Sequence, residues 1–183
     1  LKIVKTHIND LIIIEPTINN DGRGYFFESF KENFFKENGI DCNFIQDNEA
    51  KSSYGVLRGL HFQNPPFDQS KLLRVIQGEI LDVSVDLRSN SKSYGEVFAI
   101  KLNDVNKKTI LVPKGFAHGY LVLSDVAIVA YKVDQKYTKE AERGIIWNDE
   151  FLNIDWIIDE KLIVLSEKDT CLEKFNEFKT PFL

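Results

Sequence analysis

Along residues 79–87 apolar and polar side chains alternate, with Leu81, Val83, Val85 and Leu87 on one face and Asp82, Ser84 and Asp86 on the other. That two-residue period predicts a strand. A second strand over residues 71–76 precedes it across Gln77-Gly78, which reads as a hairpin turn because glycine tolerates positive φ. Six further segments carry strand patterns: 11–14, 56–62, 96–102, 109–112, 120–123 and 126–133. Only residues 29–38 read as an internal helix, with Phe30, Phe34 and Glu37 at helical spacing and Gly39 as the stop. Residues 169–177 are expected to form another. Many short strands separated by polar turns predict an all-β domain, a two-sheet sandwich or barrel with a few short helices. Asp21-Gly22-Arg23-Gly24 reads as an early loop, and residues 1–28 as an arm that contacts a neighbouring subunit.

The chain has 183 residues, 43% of them hydrophobic, enough for one domain with one core spanning residues 1–183. No run approaches the ~20 apolar residues of a membrane helix, and no apolar stretch of signal-peptide length follows Lys2 and Lys5. Cys42 and Cys171 lack ligand-like spacing, so neither a disulfide framework nor a zinc site is expected, and a reducing cytoplasm is the default. With 23 basic and 28 acidic residues the formal charge is −5, without a basic run. Nucleic acid and anionic membrane are therefore poor partners, whereas a small anionic ligand held by a few local cations is not excluded.

The candidate chemistry begins with three histidines. His7 sits among polar residues and is assigned no role. His61 ends a strand, and His118 lies in Pro113-Lys114-Gly115-Phe116-Ala117-His118-Gly119, between a strand end and the next strand. Either one suits a general base near neutral pH; either one also reads as a hydrogen-bonded structural histidine. The turn before His118 resembles the second metal motif of cupin proteins. The matching His-x-His is missing, because His61 is followed by Phe62, Gln63, Asn64 and Pro65, so no metal is expected. Lys71 shares a strand face with Leu73 and Val75, which aims an ammonium at the apolar side. It reads as an oxyanion stabiliser or as a snorkelling edge lysine. Tyr131 shares a face with Val129 and Val133 and reads as a proton donor or a tethered core tyrosine. Arg58 and His61 fall on opposite faces under strict alternation and line one pocket only if Gly59 marks a bulge. Asp169 is either an orienter of a histidine or a helix N-cap.

Several motifs occur in order: Asp21-x-Arg23-Gly24-x-Phe26-x-Glu28, Gln46-Asp47-Asn48, Gly55-Val56-Leu57-Arg58-Gly59-Leu60-His61, Gln69-x-Lys71-Leu72, Asp82-Val83-x-Val85-Asp86-Leu87-Arg88, Pro113-x-Gly115-Phe116-Ala117-His118-Gly119 and Trp147-Asn148-Asp149. Together they resemble the dTDP-4-dehydrorhamnose 3,5-epimerase family. The resemblance implies a cupin-like jelly-roll β-sandwich, a homodimer, a nucleotide-sugar substrate, a place in dTDP-rhamnose biosynthesis, and neither metal nor other cofactor. It implies that His61 removes the proton alpha to a 4-keto group, with Asp169 orienting the imidazole. Tyr131 is then the acid on the opposite face of the sugar, and Lys71 stabilises the enolate with His118 nearby. Implied for binding are Arg23, Phe26 and Glu28, with Arg23 and Glu28 from the partner subunit, and Gln46, Asp47, Asn48, Arg58, Glu142 and Lys168. Phe26, Tyr137 and Trp147 are the aromatic candidates for stacking on the base. One departure stands out: where the family reads Gln-x-Asn-x-Ser, this chain has Ala50. An epimerase acting at C3 alone, or on another nucleotide-linked 4-keto sugar, carries the same chemical groups.

Overall fold

The computed structural model describes residues 1–41 and 43–183; Cys42 lies outside the described residues. Thirteen strands are present among them: β1 Lys2–Lys5, β2 Ile12–Glu15, β3 Asn19–Asp21, β4 Gly24–Phe26, β5 Gln46–Ser53, β6 Leu57–Gln63, β7 Lys71–Gln77, β8 Glu79–Asp86, β9 Val97–Asn103, β10 Thr109–Val112, β11 Phe116–Val122, β12 Val126–Val133 and β13 Glu142–Gly144. The one α-helix is α1, Glu32–Glu37, and Gly39 follows it with φ of 74°. Two antiparallel sheets form a sandwich, ordered β1-β2-β10-β7-β12-β5 and β13-β6-β11-β8-β9. This is the expected all-β jelly roll.

Three apolar layers hold it together. Between the sheets, Leu73 and Val75 of β7, Ile110 and Val112 of β10 and Val129 of β12 meet Ile80 of β8, Leu102 of β9 and Tyr120 and Val122 of β11. On the outer side of the six-stranded sheet, Ile12, Ile14, Leu72 and Leu111 pack under Phe35 of α1. Strand β2 thus buries both faces, which explains its unbroken Ile12-Ile13-Ile14 run. On the far side of the other sheet, Leu81, Val83 and Val85 of β8 are covered by Trp156, Phe175 and Phe182 from the chain after β13.

Several expectations are corrected. Residues 77–78 do not close a hairpin: β7 and β8 lie in different sheets, and Gly78, at φ of 81°, turns the chain from one to the other. A Cβ on Gly78 would stand 2.1 Å from the Val126 carbonyl oxygen, so the corner admits only glycine. The expected helix over residues 169–177 reduces to a 3-10 turn at Lys168–Cys171. His118 itself lies not between two strands but within β11, every residue of which is buried, and only Pro113-Lys114-Gly115 of its motif form the turn from β10. Strand β5 had no counterpart in the hydrophobic pattern. Within the segment 1–28 expected to act as an arm, β1 and β2 pair into the chain's own six-stranded sheet. The fully exposed β3–β4 hairpin forms a separate two-stranded sheet. Among the described residues, no helix is long and apolar enough to cross a membrane.

Candidate active site

The site begins with an irregularity in β6. His61 pairs with His118 of β11, and Arg58 with Tyr120, so three steps on β6 match two on β11. The extra residue is a bulge at Gly59, which has φ of 136°. Strict alternation would part Arg58 from His61, whereas the bulge restores the phase and turns both side chains inward. A Cβ on Gly59 would lie 2.5 Å from the Gly119 Cα, so the close approach of the two strands depends on glycine.

The cavity this creates between the sheets has a volume of about 400 Å³. One wall carries Arg58 and His61 from β6 with His118 and Tyr120 from β11; the other carries Lys71 from β7, Tyr131 from β12 and Ala50 from β5. The 3-10 turn brings Lys168 and Asp169 to its edge. A connected lobe is lined by Gln46, Asn48, Gln69, Tyr137 and Glu142. Register explains which β5 residues reach the interior. Asn48 pairs with Tyr131 and Ala50 with Val129, so Gln46, Asn48, Ala50 and Ser52 share the inward face.

His61 Nε2 lies 2.5 Å from Asp169 Oδ1. The imidazole is partly open, with 23% of its side chain exposed, whereas the carboxylate is buried at 4%. Burial alone would raise the Asp169 pKa. The His61 hydrogen bond and charge, with help from Ser166 and Lys168, hold it below the ordinary carboxylate range. A second pair lies deeper: His118 Nε2 is 2.8 Å from Asp82 Oδ2, and Asp82 is wholly buried. Opposite them, Lys71 Nζ donates to the His61 carbonyl oxygen at 3.4 Å. Burial lowers the Lys71 pKa to about 8, against the opposing charges of Asp82 and Glu142. Burial raises the Tyr131 phenol, and Arg58 opposes that rise. At the rim Glu142 accepts from Lys168 Nζ at 2.7 Å and from the Tyr137 hydroxyl at 2.9 Å.

Most of the residues singled out in the sequence therefore meet: His61, Lys71, Tyr131, Asp169, His118, Arg58, Gln46, Asn48, Glu142 and Lys168 all line one two-lobed cavity. Four do not. Asp47 points out of the opposite face of β5, where Lys132 pairs with it at 2.5 Å. Arg23, Phe26 and Glu28 are exposed on or beside the β3–β4 hairpin, Arg23 paired with Asp21, and none lines the cavity of its own chain. Of the aromatic candidates, Tyr137 borders the cavity, Phe26 is 68% exposed on the hairpin, and Trp147 packs against the outer core. The Asp169 backbone N–H donates to Ser166 Oγ, and Glu167, not Asp169, occupies the N-cap position. Asp82, Tyr120 and Ser52 escaped the sequence reading. The polar face of β8 was the available signal for Asp82, since a carboxylate in the middle of an interior strand needs a partner. Among the described residues, no group of three or more His, Cys, Asp or Glu side chains is placed to hold a metal ion.

A sequence model described as dTDP-4-dehydrorhamnose 3,5-epimerase matches residues 5–177. An enzyme of that name from Methanothermobacter thermautotrophicus is 50% identical over 92% of this chain and 91% of its own length. The crystal structure of an Elizabethkingia anophelis dTDP-4-dehydrorhamnose 3,5-epimerase superposes with a TM-score of 0.93 at 47% identity, covering 96% of this chain and 97% of that one. A Legionella pneumophila dTDP-6-deoxy-D-glucose-3,5-epimerase in complex with dTDP-4-keto-L-rhamnose superposes equally well, with a TM-score of 0.93 and 43% identity over 97% of this chain and 94% of that one. A fold, a run of motifs and a sequence likeness that all extend over nearly the whole length lead to one statement: the chain belongs to the dTDP-4-dehydrorhamnose 3,5-epimerase family.

Proposed function

We propose that this protein converts dTDP-4-keto-6-deoxyglucose to dTDP-4-keto-L-rhamnose by inverting C3 and C5 in turn. The observation that carries the reading is the His61–Asp169 pair, 2.5 Å apart at the edge of a cavity whose opposite wall presents Lys71 and Tyr131. Inversion requires a base on one face of the ring and an acid on the other, and the two sheets supply them. His61 takes the proton alpha to the C4 ketone, while Asp169 fixes the imidazole tautomer and balances the imidazolium that forms. The electrons move into the carbonyl, giving an enolate whose oxygen is met by the Lys71 ammonium. A buried cation beside a developing oxyanion acts with little screening by water. Tyr131 then returns a proton to the same carbon from the other face. Its phenol, raised by burial, stays protonated at neutral pH and is an acid of suitable strength.

For the nucleotide we assign Gln46, Asn48, Tyr137, Glu142 and Lys168 in the outer lobe, with Arg58 inside. The hairpin residues Arg23, Phe26 and Glu28 complete the diphosphate and base site of a partner subunit, which makes the protein a homodimer. Guanidinium-to-phosphate hydrogen bonds are charge-assisted, which suits Arg23 to that task. Cys171 is a free thiol, which fits the reducing cytoplasm. Incubating the purified protein with dTDP-4-keto-6-deoxyglucose and following the sugar protons by NMR tests the reaction. Appearance of dTDP-4-keto-L-rhamnose with wild type, and its absence with His61→Ala, is expected; an unchanged sugar would refute the reading.

A further inference from the structure

Asp82 takes no part in the steps above, although a fully buried carboxylate on an interior strand is unfavourable without compensation. Its orientation follows from strand parity. On β8, Ile80 belongs to the core between the sheets and Leu81, Val83 and Val85 to the outer core, so Asp82 faces the gap between the sheets. On β7 of the opposite sheet, Leu73 and Val75 face the same gap, and Lys71 shares their side. The carboxylate therefore stands across the gap from the ammonium. Its Oδ2 takes the 2.8 Å bond from His118, and its Oδ1 is buried with no protein partner. A neutral amide would accept from His118 as well, so that hydrogen bond does not by itself account for a buried charge. The other charged groups around Lys71 are matched elsewhere. Glu142 of β13 pairs with Lys168 at the rim, and Lys168 itself opposes the Lys71 charge. Asp169 is bound to His61. Arg58 is a further cation, and the Tyr120 and Tyr131 phenols, raised by burial, are neutral at neutral pH. Asp82 is left as the deep anion, and its attraction is the largest of those that oppose the effect of burial on Lys71.

We propose that Asp82 is a positioning residue of the reaction: its buried charge keeps Lys71 an ammonium ion at neutral pH. The inference rests on the epimerase reading above, which gives that cation its task at the enolate oxygen. Lys71 and His118 line the cavity, whereas Asp82 reaches it only through His118. The developing oxyanion thus meets the cation directly and the carboxylate only from behind the imidazole. A nearby opposite charge moves a titration by ~1–3 pH units. Burial has already lowered Lys71 to about 8, so loss of the Asp82 charge would bring its midpoint to ~7 or below. Much of the enzyme would then lack its cation at neutral pH.

The test is Asp82→Asn, which keeps the volume and an oxygen to accept from His118 and removes only the charge. Lys71 is titrated in the free enzyme by carbon NMR of its Cε, the signal being assigned by its loss in Lys71→Arg. The expected midpoint is about 8 in wild type and lower by ~1 pH unit or more in Asp82→Asn. The alkaline limb of kcat should fall with it. Glu142→Gln, at the more open rim, should move the midpoint less. In wild type the Asp82 carboxyl carbon should show a step at the Lys71 midpoint, a measurement that stands even where the variant fails to fold. An unmoved midpoint in Asp82→Asn, a larger effect of Glu142→Gln, or an Asp82 signal blind to Lys71 would overturn the proposal and leave Asp82 as an anchor for His118. A moved midpoint with an unmoved limb of kcat would overturn its part in the reaction. The expected midpoints in a protein that turns over no 4-keto sugar would refute the epimerase reading instead.

Discussion

Replacing Asp169 by asparagine changes two atoms' chemistry at nearly constant volume, and the expected loss follows from the site's geometry. Asp169 is 3% exposed, so water cannot take over its bond to His61. The carboxylate only accepts, and therefore fixes the bonded imidazole nitrogen as the donor and leaves the other nitrogen free to receive the substrate proton. An asparagine amide that turns its NH2 toward His61 reverses this, placing the imidazole proton on the catalytic side. The substitution also removes the counter-charge from the imidazolium formed in the reaction. Orienting carboxylates of this kind are worth ~10²–10⁴ in rate, so kcat is expected to fall by about that factor, or ~3–5 kcal/mol in barrier. KM should change little, because Asp169 stands behind the base and not against the nucleotide lobe. Stability should fall by ~1–3 kcal/mol, the usual effect of weakening a buried charge-assisted hydrogen bond. Part of that loss depends on pH. The Asp169 pKa is lowered in the folded state, so its contribution is present above the unfolded carboxylate's pKa and vanishes as pH falls through the folded one. Stopped-time NMR of product formation, with urea melts at pH 7 and in acid, measures both effects. Turnover within about threefold of wild type would refute the claim that this pair is the base and its orienter.

Four further outcomes are expected. Turnover should decline as pH rises through about 8, where the buried Lys71 loses the proton that makes it a cation; a profile flat to pH 9.5 (~1.5 units above that point) would show that its charge is not used. Tyr131→Phe should keep proton exchange alpha to the ketone while losing inversion, whereas His61→Ala should lose both, as read by deuterium uptake and product NMR. Gly59→Ala should destabilise the fold by ~2–4 kcal/mol in a denaturant melt, because its Cβ has no room against Gly119 and φ is 136°. Arg23→Ala should raise KM. Mixed and reassorted with inactive His61→Ala, it should recover about a quarter of wild-type activity, since half of the dimers are mixed and each holds one intact site; no recovery would contradict a cross-subunit site.

Legibility in the sequence followed the chemistry of the inward face. Strands 109–112 and 126–133 were read to the residue because their interior positions are apolar. Strand β5 was missed because Gln46 and Asn48 line the cavity and Ser52 shares their face, so its inner face is as polar as its outer one and no alternation marks it. The face that binds ligand is thus the one a hydrophobic pattern hides. Gln77-Gly78 looked like a hairpin because a turn's residues report backbone angle, not which sheet the next strand joins. Gly59 was legible as a required bulge only because Arg58 and His61 had to share a pocket. Asp169 joins His61 across 108 residues of sequence, a pairing that spacing does not encode and that came from the family resemblance. Asp47 came from the same resemblance, and alternation along β5 sends its side chain outward while its neighbours on both sides turn in.

The most direct test of the central claim is position-resolved NMR of dTDP-4-keto-6-deoxyglucose incubated with the enzyme in deuterium oxide. The account predicts deuterium at both C3 and C5 of an inverted sugar, and none of it with His61→Ala. Deuterium at C3 alone would mean a single-centre epimerase, and a sugar recovered without label would contradict proton abstraction at this site.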